Sequence, residues 1–209
     1  MKLYDLPGPP SPRRVRVFLA EKGIDIEIVP VNIREGEHLK DAYKAINNRC
    51  TIPALEMDDG TVLTEGDAIL RYLEEKFPEK PLFGNTPEER GVVNNWLHIS
   101  DVDGFVAVAE ALRNSNERFA GRAITGPRNA DQIPALAERG LARIGYYFED
   151  LDKQLEGRSY IAGDTYTVAD ISALIVVDFA KMAGQDIPAS CANVARWHAD
   201  VSARPSAQA

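Results

Sequence analysis

The sequence has few cysteines, no long apolar run and no excess of positive charge. Only two of its 209 residues are cysteines, Cys50 and Cys191, and their separation excludes a paired Cys-x-x-Cys metal or redox motif. So few cysteines fit a reducing, cytoplasmic location. The longest apolar stretch, residues 171–180, is interrupted by Asp178 and falls short of the ~18 residues of a membrane span, so it predicts a buried helix. The first residues lack the basic and apolar regions of a signal peptide.

Acidic residues outnumber basic ones. The chain carries 24 Lys and Arg against 32 Asp and Glu, a formal net charge of −8. Nucleic acid is therefore not an expected partner, because phosphate backbones require clustered Lys and Arg. The one dense basic cluster comprises Arg13, Arg14 and Arg16. It is large enough to hold one small anion, and it is equally typical of a solvated helix face.

The first eighty residues alternate between strand and helix patterns. A strand at 3–6 precedes the loop 7–10 (PGPP), after which Ser11 and Pro12 are expected as N-cap and first residue of a helix that ends at Gly23. Further strands are predicted within 24–33 and at 51–57 and 61–63, and helices at 38–46 and 67–77. This order predicts an α/β domain with a mixed four-stranded sheet, half β-α-β and half antiparallel hairpin.

The second half of the chain has almost purely helical patterns. A proline-rich linker leads into a long helix around residue 92. An apolar stripe over 137–155 and the capping box Thr167–Asp170 predict two more helices, and 194–201 a last one. We therefore expect two domains, residues 1–80 and an all-α domain at 86–209, joined by a linker at 81–85.

Four motifs in this order resemble the cytosolic glutathione transferase family of bacterial type. They are residues 13–23 (RRVRVFLAEKG), 51–55 (TIPAL), 63–69 (LTEGDAI) and 166–171 (YTVADI), and the resemblance covers nearly the whole chain. It implies a thioredoxin-like domain that binds glutathione and an all-helical domain that supplies a hydrophobic pocket. It also implies a cytoplasmic homodimer that uses glutathione as co-substrate and no metal, with neither nucleic acid nor membrane as partner.

The resemblance implies that a cis peptide bond joins Ile52 to Pro53. The N–H and C=O of Ile52 would then pair with the cysteinyl backbone of glutathione like an added antiparallel strand. Without the family, the residues alone favour an ordinary trans proline at the start of a strand, because only ~5% of X–Pro bonds are cis.

Further glutathione contacts are implied at Glu65, Gly66, His38 and Lys40. Glu65 would bind the γ-glutamyl ammonium, unless it is only a helix-start carboxylate favoured by the helix dipole. The N–H of Gly66 would bind the γ-glutamyl carboxylate, but the serine hydroxyl common in the family is absent, which predicts weaker affinity. His38 and Lys40 fall where some classes reach the glycyl carboxylate, although His38 is equally typical of an exposed loop.

Cys50 and Pro9 depart from the family pattern. Cys50 takes the place of a glycyl-binding histidine and is expected to be a small buried filler. Pro9 takes the place of the usual activating serine or cysteine. Residues 9–12 (PPSP) also replace the Cys-x-x-Cys of thioredoxin-like oxidoreductases, which excludes thiol–disulfide exchange at this site.

Ser11 is the predicted activating residue. A thiol with a pKa of ~8.5 is only about 3% thiolate at pH 7, and lowering that pKa by about two units takes ~2.7 kcal/mol. A hydroxyl at a helix N-terminus provides stabilisation of this kind. The alternative is that Ser11 only caps the helix. Tyr4, inside the first strand, is a poorer candidate.

The expected reaction joins the glutathione thiolate to a small hydrophobic electrophile. Pro10, Phe105, Ala109 and Leu112 are candidates for the electrophile pocket, although helical spacing makes the last three equally typical of plain core. The alternatives are a non-catalytic binding or scaffold protein of the same fold, and a glutathione-dependent isomerase or dehalogenase.

Overall fold

The structure is a computed structural model that describes residues 1–209. The chain forms two compact units. The first comprises residues 1–80 together with 124–129 and residue 209, and the second comprises 81–123 and 130–208. None of the helices is long and apolar enough to cross a membrane.

The first unit contains the expected mixed four-stranded sheet. Its elements are β1 (Lys2–Asp5), α1 (Pro10–Lys22), β2 (Glu27–Pro30), α2 (Asp41–Lys44), β3 (Ala54–Glu56), β4 (Val62–Leu63) and α3 (Gly66–Lys76). The strands lie in the order β2-β1-β3-β4. In the register, Leu3 is opposite Ile28 in the parallel pair and opposite Leu55 in the antiparallel pair. The sheet and its topology are confirmed.

Successive residues of β1 face opposite sides of this sheet, as they do in any strand. Leu3 is fully buried on one side. Tyr4 lies on the other side, in a cluster with Val31, Tyr43 and Ala54. Both faces of the central strand are therefore covered, which fixes the register of the elements that carry the candidate site.

The start of α1 differs from the prediction. The helix begins at Pro10, and the extended residue Pro9 is its N-cap, so the assignment of Ser11 as N-cap is wrong. Prolines cost nothing in a first turn, because their missing N–H groups have no acceptor there and their φ is already helical. Two prolines at 10 and 12 therefore draw the helix start two residues earlier, and Ser11 becomes its second residue.

A buried ion pair ties α1 to the end of β1. Arg16 donates from Nη1 to both carboxylate oxygens of Asp5, at 2.8 and 2.9 Å, and Asp5 is only 2% exposed. Such a charge-assisted contact fixes the direction of the helix relative to the strand. Within the basic cluster of Arg13, Arg14 and Arg16, Arg16 therefore has a structural role.

The regular elements of the second unit are all helices. Its helices are α4 (Pro87–Ile99), α5 (Val106–Ser115), α6 (Pro134–Gln154), α7 (Val168–Ala180) and α8 (Ala192–Ser202). In α7 only Asp178 is not buried, so the prediction of a buried helix at 171–180 is confirmed. The capping box of Thr167 and Asp170 at its start is confirmed as well.

A π-helical turn, Ser100–Phe105, joins α4 to α5. Gly104 lies within this turn, where a Cβ would come within 2.7 Å of Val176. The hydroxyls of Ser100 and Tyr147 are 3.0 Å apart in the core beside it. The π turn is wider than an α-helical turn and lies directly against Val176 of α7, a packing relation that no local pattern in the sequence indicates.

Candidate functional site

The first turn of α1 presents few hydrogen-bond donors. Pro10 and Pro12 have no N–H, and the N–H of Arg13 donates to the carbonyl of Pro9 at 3.3 Å. The N–H of Ser11 precedes the intrahelical bonds and points out of the helix end. Ser11 is half-buried and adds its hydroxyl. Two donors at the positive end of a helix dipole can together stabilise a small anion such as a thiolate.

Tyr4 takes no part in this arrangement. Its hydroxyl donates to Oε2 of Glu56 at 2.6 Å, on β3. This hydrogen bond, with burial as the second cause, raises the pKa of Tyr4 to about 12. A phenol engaged in this way is a poor donor to a thiolate.

The segment before β3 carries the cis peptide bond between Ile52 and Pro53, and that expectation is confirmed. The carbonyl of Thr51 accepts hydrogen bonds from Tyr43 Oη at 2.7 Å and from Asn47 Nδ2 at 2.8 Å. These two buried side chains hold the residue before Ile52, a contact that no local pattern in the sequence predicts. The β3 ladder begins at Ala54, so the backbone of Ile52 lies outside the sheet's own hydrogen bonding.

Cys50 is 2% exposed and has a left-handed φ of 54°. Its Sγ lies 3.7 Å from the carbonyl oxygen of Asn48. A thiol so enclosed offers nothing to a ligand carboxylate, which supports its interpretation as a buried filler. His38 and Lys40 lie in and just after the short turn Glu37–Leu39, where His38 is half-buried and Lys40 exposed.

Helix α3 begins at Gly66, with Glu65 as its extended N-cap residue. The Glu65 side chain does not cap the helix; its Oε1 pairs with Nε of Arg49 at 2.9 Å. Both side chains are 63% exposed. Surface pairs of this kind contribute about 0–1 kcal/mol, so the Glu65 carboxylate is available to a ligand ammonium at little cost.

Arg14 fills the space beside Gly66. Its Nη2 lies 2.9 Å, and its Cζ 3.7 Å, from the position that a Cβ on residue 66 would occupy. Arg14 is 8% exposed, although it belongs to a basic cluster that the sequence made equally typical of a solvated face. This contact could not be predicted, because nothing local in the sequence relates residue 14 to residue 66. The only available signal was the coincidence of an Arg-Arg pair with a glycine where the family has serine.

The candidate pocket residues of the helical unit follow one side of the α5 helix. Phe105 contacts the ring of Phe179, with centroids 5.1 Å apart, and Ala109 is half-buried. Leu112 is 6% exposed and belongs to the core. Their spacing of four and three residues puts them on one face. Pro10, the fourth candidate, is the half-buried first residue of α1 in the other unit.

The sequence matches two family models. The model of the glutathione S-transferase N-terminal domain matches residues 10–76, and that of the C-terminal domain matches residues 119–205. The fold and these matches define a two-domain glutathione transferase architecture. The chain belongs to the glutathione S-transferase family.

Relatives support this along the whole chain. Glutathione S-transferase 2 of Saccharomyces cerevisiae is 31% identical over 208 residues, which cover 99% of this chain and 87% of that protein. A crystal structure of a glutathione S-transferase domain-containing protein from Marinobacter aquaeolei VT8 has a TM-score of 0.91 at 33% identity and 99% coverage of both chains. The crystal structure of a class Gtt2 glutathione S-transferase of Vibrio parahaemolyticus has a TM-score of 0.84 at 34% identity, covering 100% of this chain and 96% of that one.

Proposed function

We propose that this protein is a glutathione transferase that joins the thiolate of glutathione to a small hydrophobic electrophile. The observation that carries the proposal is the first turn of α1, where Ser11 contributes a hydroxyl and an outward N–H between two prolines that contribute neither. Ser11 is the catalytic residue: it donates a hydrogen bond to the sulfur and forms no covalent bond with it.

The remaining glutathione contacts are distributed over the first unit. Ile52, next to Pro53, pairs its backbone with the cysteinyl residue, which is supported by its position outside the β3 ladder. Glu65 binds the γ-glutamyl ammonium and the N–H of Gly66 binds the carboxylate. His38 and Lys40 bind the glycyl carboxylate.

In the proposed reaction the thiol first loses its proton to solvent, and the thiolate then attacks an electrophilic carbon. A carbon–sulfur bond forms while a halide leaves with its electron pair, or a double bond is consumed and the adjacent carbon takes a proton from water. Phe105 and Ala109, the half-buried candidates of the helical unit, provide apolar surface for the electrophile. Leu112 is buried in the core of that unit and does not contribute. Binding both reactants together supplies much of the rate, and the step uses no metal. By family resemblance we also propose a cytoplasmic homodimer.

Ser11→Ala tests the proposal, with Ser11→Thr as a control that retains the hydroxyl. We expect Ser11→Ala to lower the rate of conjugation to an activated aryl halide by about 10- to 100-fold, the worth of a hydrogen bond to a charged group. Glutathione affinity, measured by calorimetry, should change far less. An unaltered conjugation rate would show that Ser11 has no part in thiol activation.

A non-catalytic binding or scaffold role is favoured by two observations, the proline at position 9 and the buried, unavailable thiol of Cys50. Calorimetry of the wild type separates the two proposals, because a protein that has lost the site releases no heat at millimolar glutathione. Turnover assays with glutathione-dependent isomerase and dehalogenase substrates distinguish those activities from conjugation.

A further inference from the structure

The guanidinium of Arg14 occupies the volume that a side chain at position 66 would fill. We propose that Arg14 binds the γ-glutamyl carboxylate of glutathione at the start of α3, in place of the side-chain hydroxyl that Gly66 lacks. This inference rests on the proposed function and specifies one contact within it.

The guanidinium of Arg14 lies directly against residue 66. Nη2, Cζ and Nε of Arg14 all lie within 4 Å of the Cβ position of residue 66, at 2.9, 3.7 and 3.7 Å. The arginine side chain reaches this point from α1 while remaining 92% buried, since only 8% of the residue is exposed. A guanidinium is charged at every accessible pH, and its attraction to an anion is stronger in a dry position than in water.

The N-terminus of α3, beside the guanidinium, adds further hydrogen-bond donors at the positive end of a helix dipole. Helix α3 has 11 residues, and the N–H of Ile69 is the first whose bond reaches back to the carbonyl of Glu65. The N–H groups of Gly66 and Asp67 therefore point outward, next to the guanidinium. The Asp67 carboxylate in this turn is paired by Oδ2 with Arg71 at 2.9 Å. A planar fork beside outward N–H groups suits a carboxylate, which accepts two hydrogen bonds at once.

A side chain at position 66 and the end of Arg14 would compete for the same space. A Cβ at 2.9 Å from Nη2 is closer than real Cβ contacts, so any residue larger than glycine must displace the end of the arginine. The glycine is therefore what allows the guanidinium to lie at the helix start. The missing hydroxyl at position 66 predicted a weaker site. On this proposal the site is not weakened, because the charged guanidinium of Arg14 replaces the neutral hydroxyl as the donor.

The test compares two ligands by calorimetry. The ligands are glutathione and γ-aminobutyryl-cysteinyl-glycine, which lacks only the α-carboxylate. We expect Arg14→Gln to weaken glutathione binding by about 10- to 100-fold and to leave binding of the second ligand unchanged. Lys76→Gln removes the same charge from the last turn of α3, far from its N-terminus, and should leave both affinities within about 2-fold.

Two variants at position 66 keep the test independent of the folding of Arg14→Gln. Gly66→Ala displaces the guanidinium without adding a donor and should weaken glutathione binding. Gly66→Ser should bring no gain beside Arg14, yet it should restore part of the affinity lost in Arg14→Gln, because the hydroxyl then has room. A merely structural role for Arg14 predicts neither the ligand dependence nor this rescue.

The inference is overturned if the arginine variant binds both ligands like the wild type, or if Gly66→Ser tightens glutathione binding beside an intact Arg14. Either result leaves the proposed function standing, since the wild type still binds glutathione. A wild type that does not bind glutathione at millimolar concentration overturns the proposed function and this inference together.

Discussion

The hydroxyl of Tyr4 lies 2.6 Å from the carboxylate of Glu56, diagonally across the antiparallel pair of β1 and β3. Diagonal neighbours on one face of a sheet are within reach of long side chains, so the bond strengthens the pairing of the two strands. The same bond occupies the hydroxyl of Tyr4, which therefore does not donate to a ligand near the loop that follows β1. The account therefore gives Tyr4 a part in the sheet and none in thiol activation.

Replacing Tyr4 with phenylalanine should lower the free energy of unfolding by about 0.5–1.5 kcal/mol, because one hydrogen bond is lost. The conjugation rate should stay within about 2-fold of wild type. A variant that loses most of its conjugation rate at unchanged glutathione affinity would move the activating role to Tyr4.

The same bond gives a pH dependence with a definite sign. The folded protein holds the pKa of Tyr4 at about 12, above its ordinary value, so the bond's contribution is complete below that ordinary value. It is lost as the pH rises from about 10 toward the folded-state pKa. In urea unfolding, the stability difference between wild type and Tyr4→Phe should therefore shrink over this range. A difference that stays constant or grows would contradict the assignment.

Asn47 should control glutathione binding through the carbonyl of Thr51. In Asn47→Ala that carbonyl keeps Tyr43 as its one side-chain donor, and the N–H of Arg49 loses its acceptor, the Oδ1 of Asn47. We expect a loss of about 1–3 kcal/mol in the free energy of unfolding. Glutathione binding should also weaken, because Ile52 follows Thr51 directly and its backbone is then held less firmly. Asn48→Ala, at the exposed neighbouring position, is the control. Equal glutathione affinities in the two variants would count against this role.

Gly140 and Gly145 offer a matched pair within α6. A Cβ at Gly140 would lie 2.6 Å from the backbone nitrogen of Ala111, whereas one at Gly145 meets nothing within 4 Å. Alanine at 140 must therefore push two helix backbones apart and should destabilise the protein by about 1–3 kcal/mol. Alanine at 145 should stabilise it by about 0.5–1 kcal/mol through helix propensity. Thermal unfolding of both variants measures the difference, and similar melting temperatures would refute the close contact of α5 and α6.

The fold was predictable because its signals are local. Apolar periodicity and the capping box at Thr167 gave the helices, and β-branched runs gave the strands. The start of α1 was misplaced because Ser11 is a good N-cap by itself, and only the joint fit of two prolines in one turn outweighs it. The π turn at Gly104 depends on the approach of another helix.

The candidate site was predictable only where the family motif names a position. The cis bond before Pro53 came from the resemblance and from no property of the residues. The contact of Arg14 with Gly66 joins two helices, and its cause is the absence of a side chain, which leaves no pattern in the sequence. The hydrogen bond from Asn47 to the carbonyl of Thr51 forms only in the folded chain, so no sequence pattern predicts it either.

The most direct test of the central claim is the titration of the bound thiol. Ultraviolet absorbance of the thiolate, followed against pH in the complex of protein and glutathione, gives the pKa of the bound sulfur. The account predicts a value about two units below the ~8.5 of a free thiol, shifted back upward in Ser11→Ala. A bound thiol that titrates like free glutathione, in a complex that binds it well, would contradict the account.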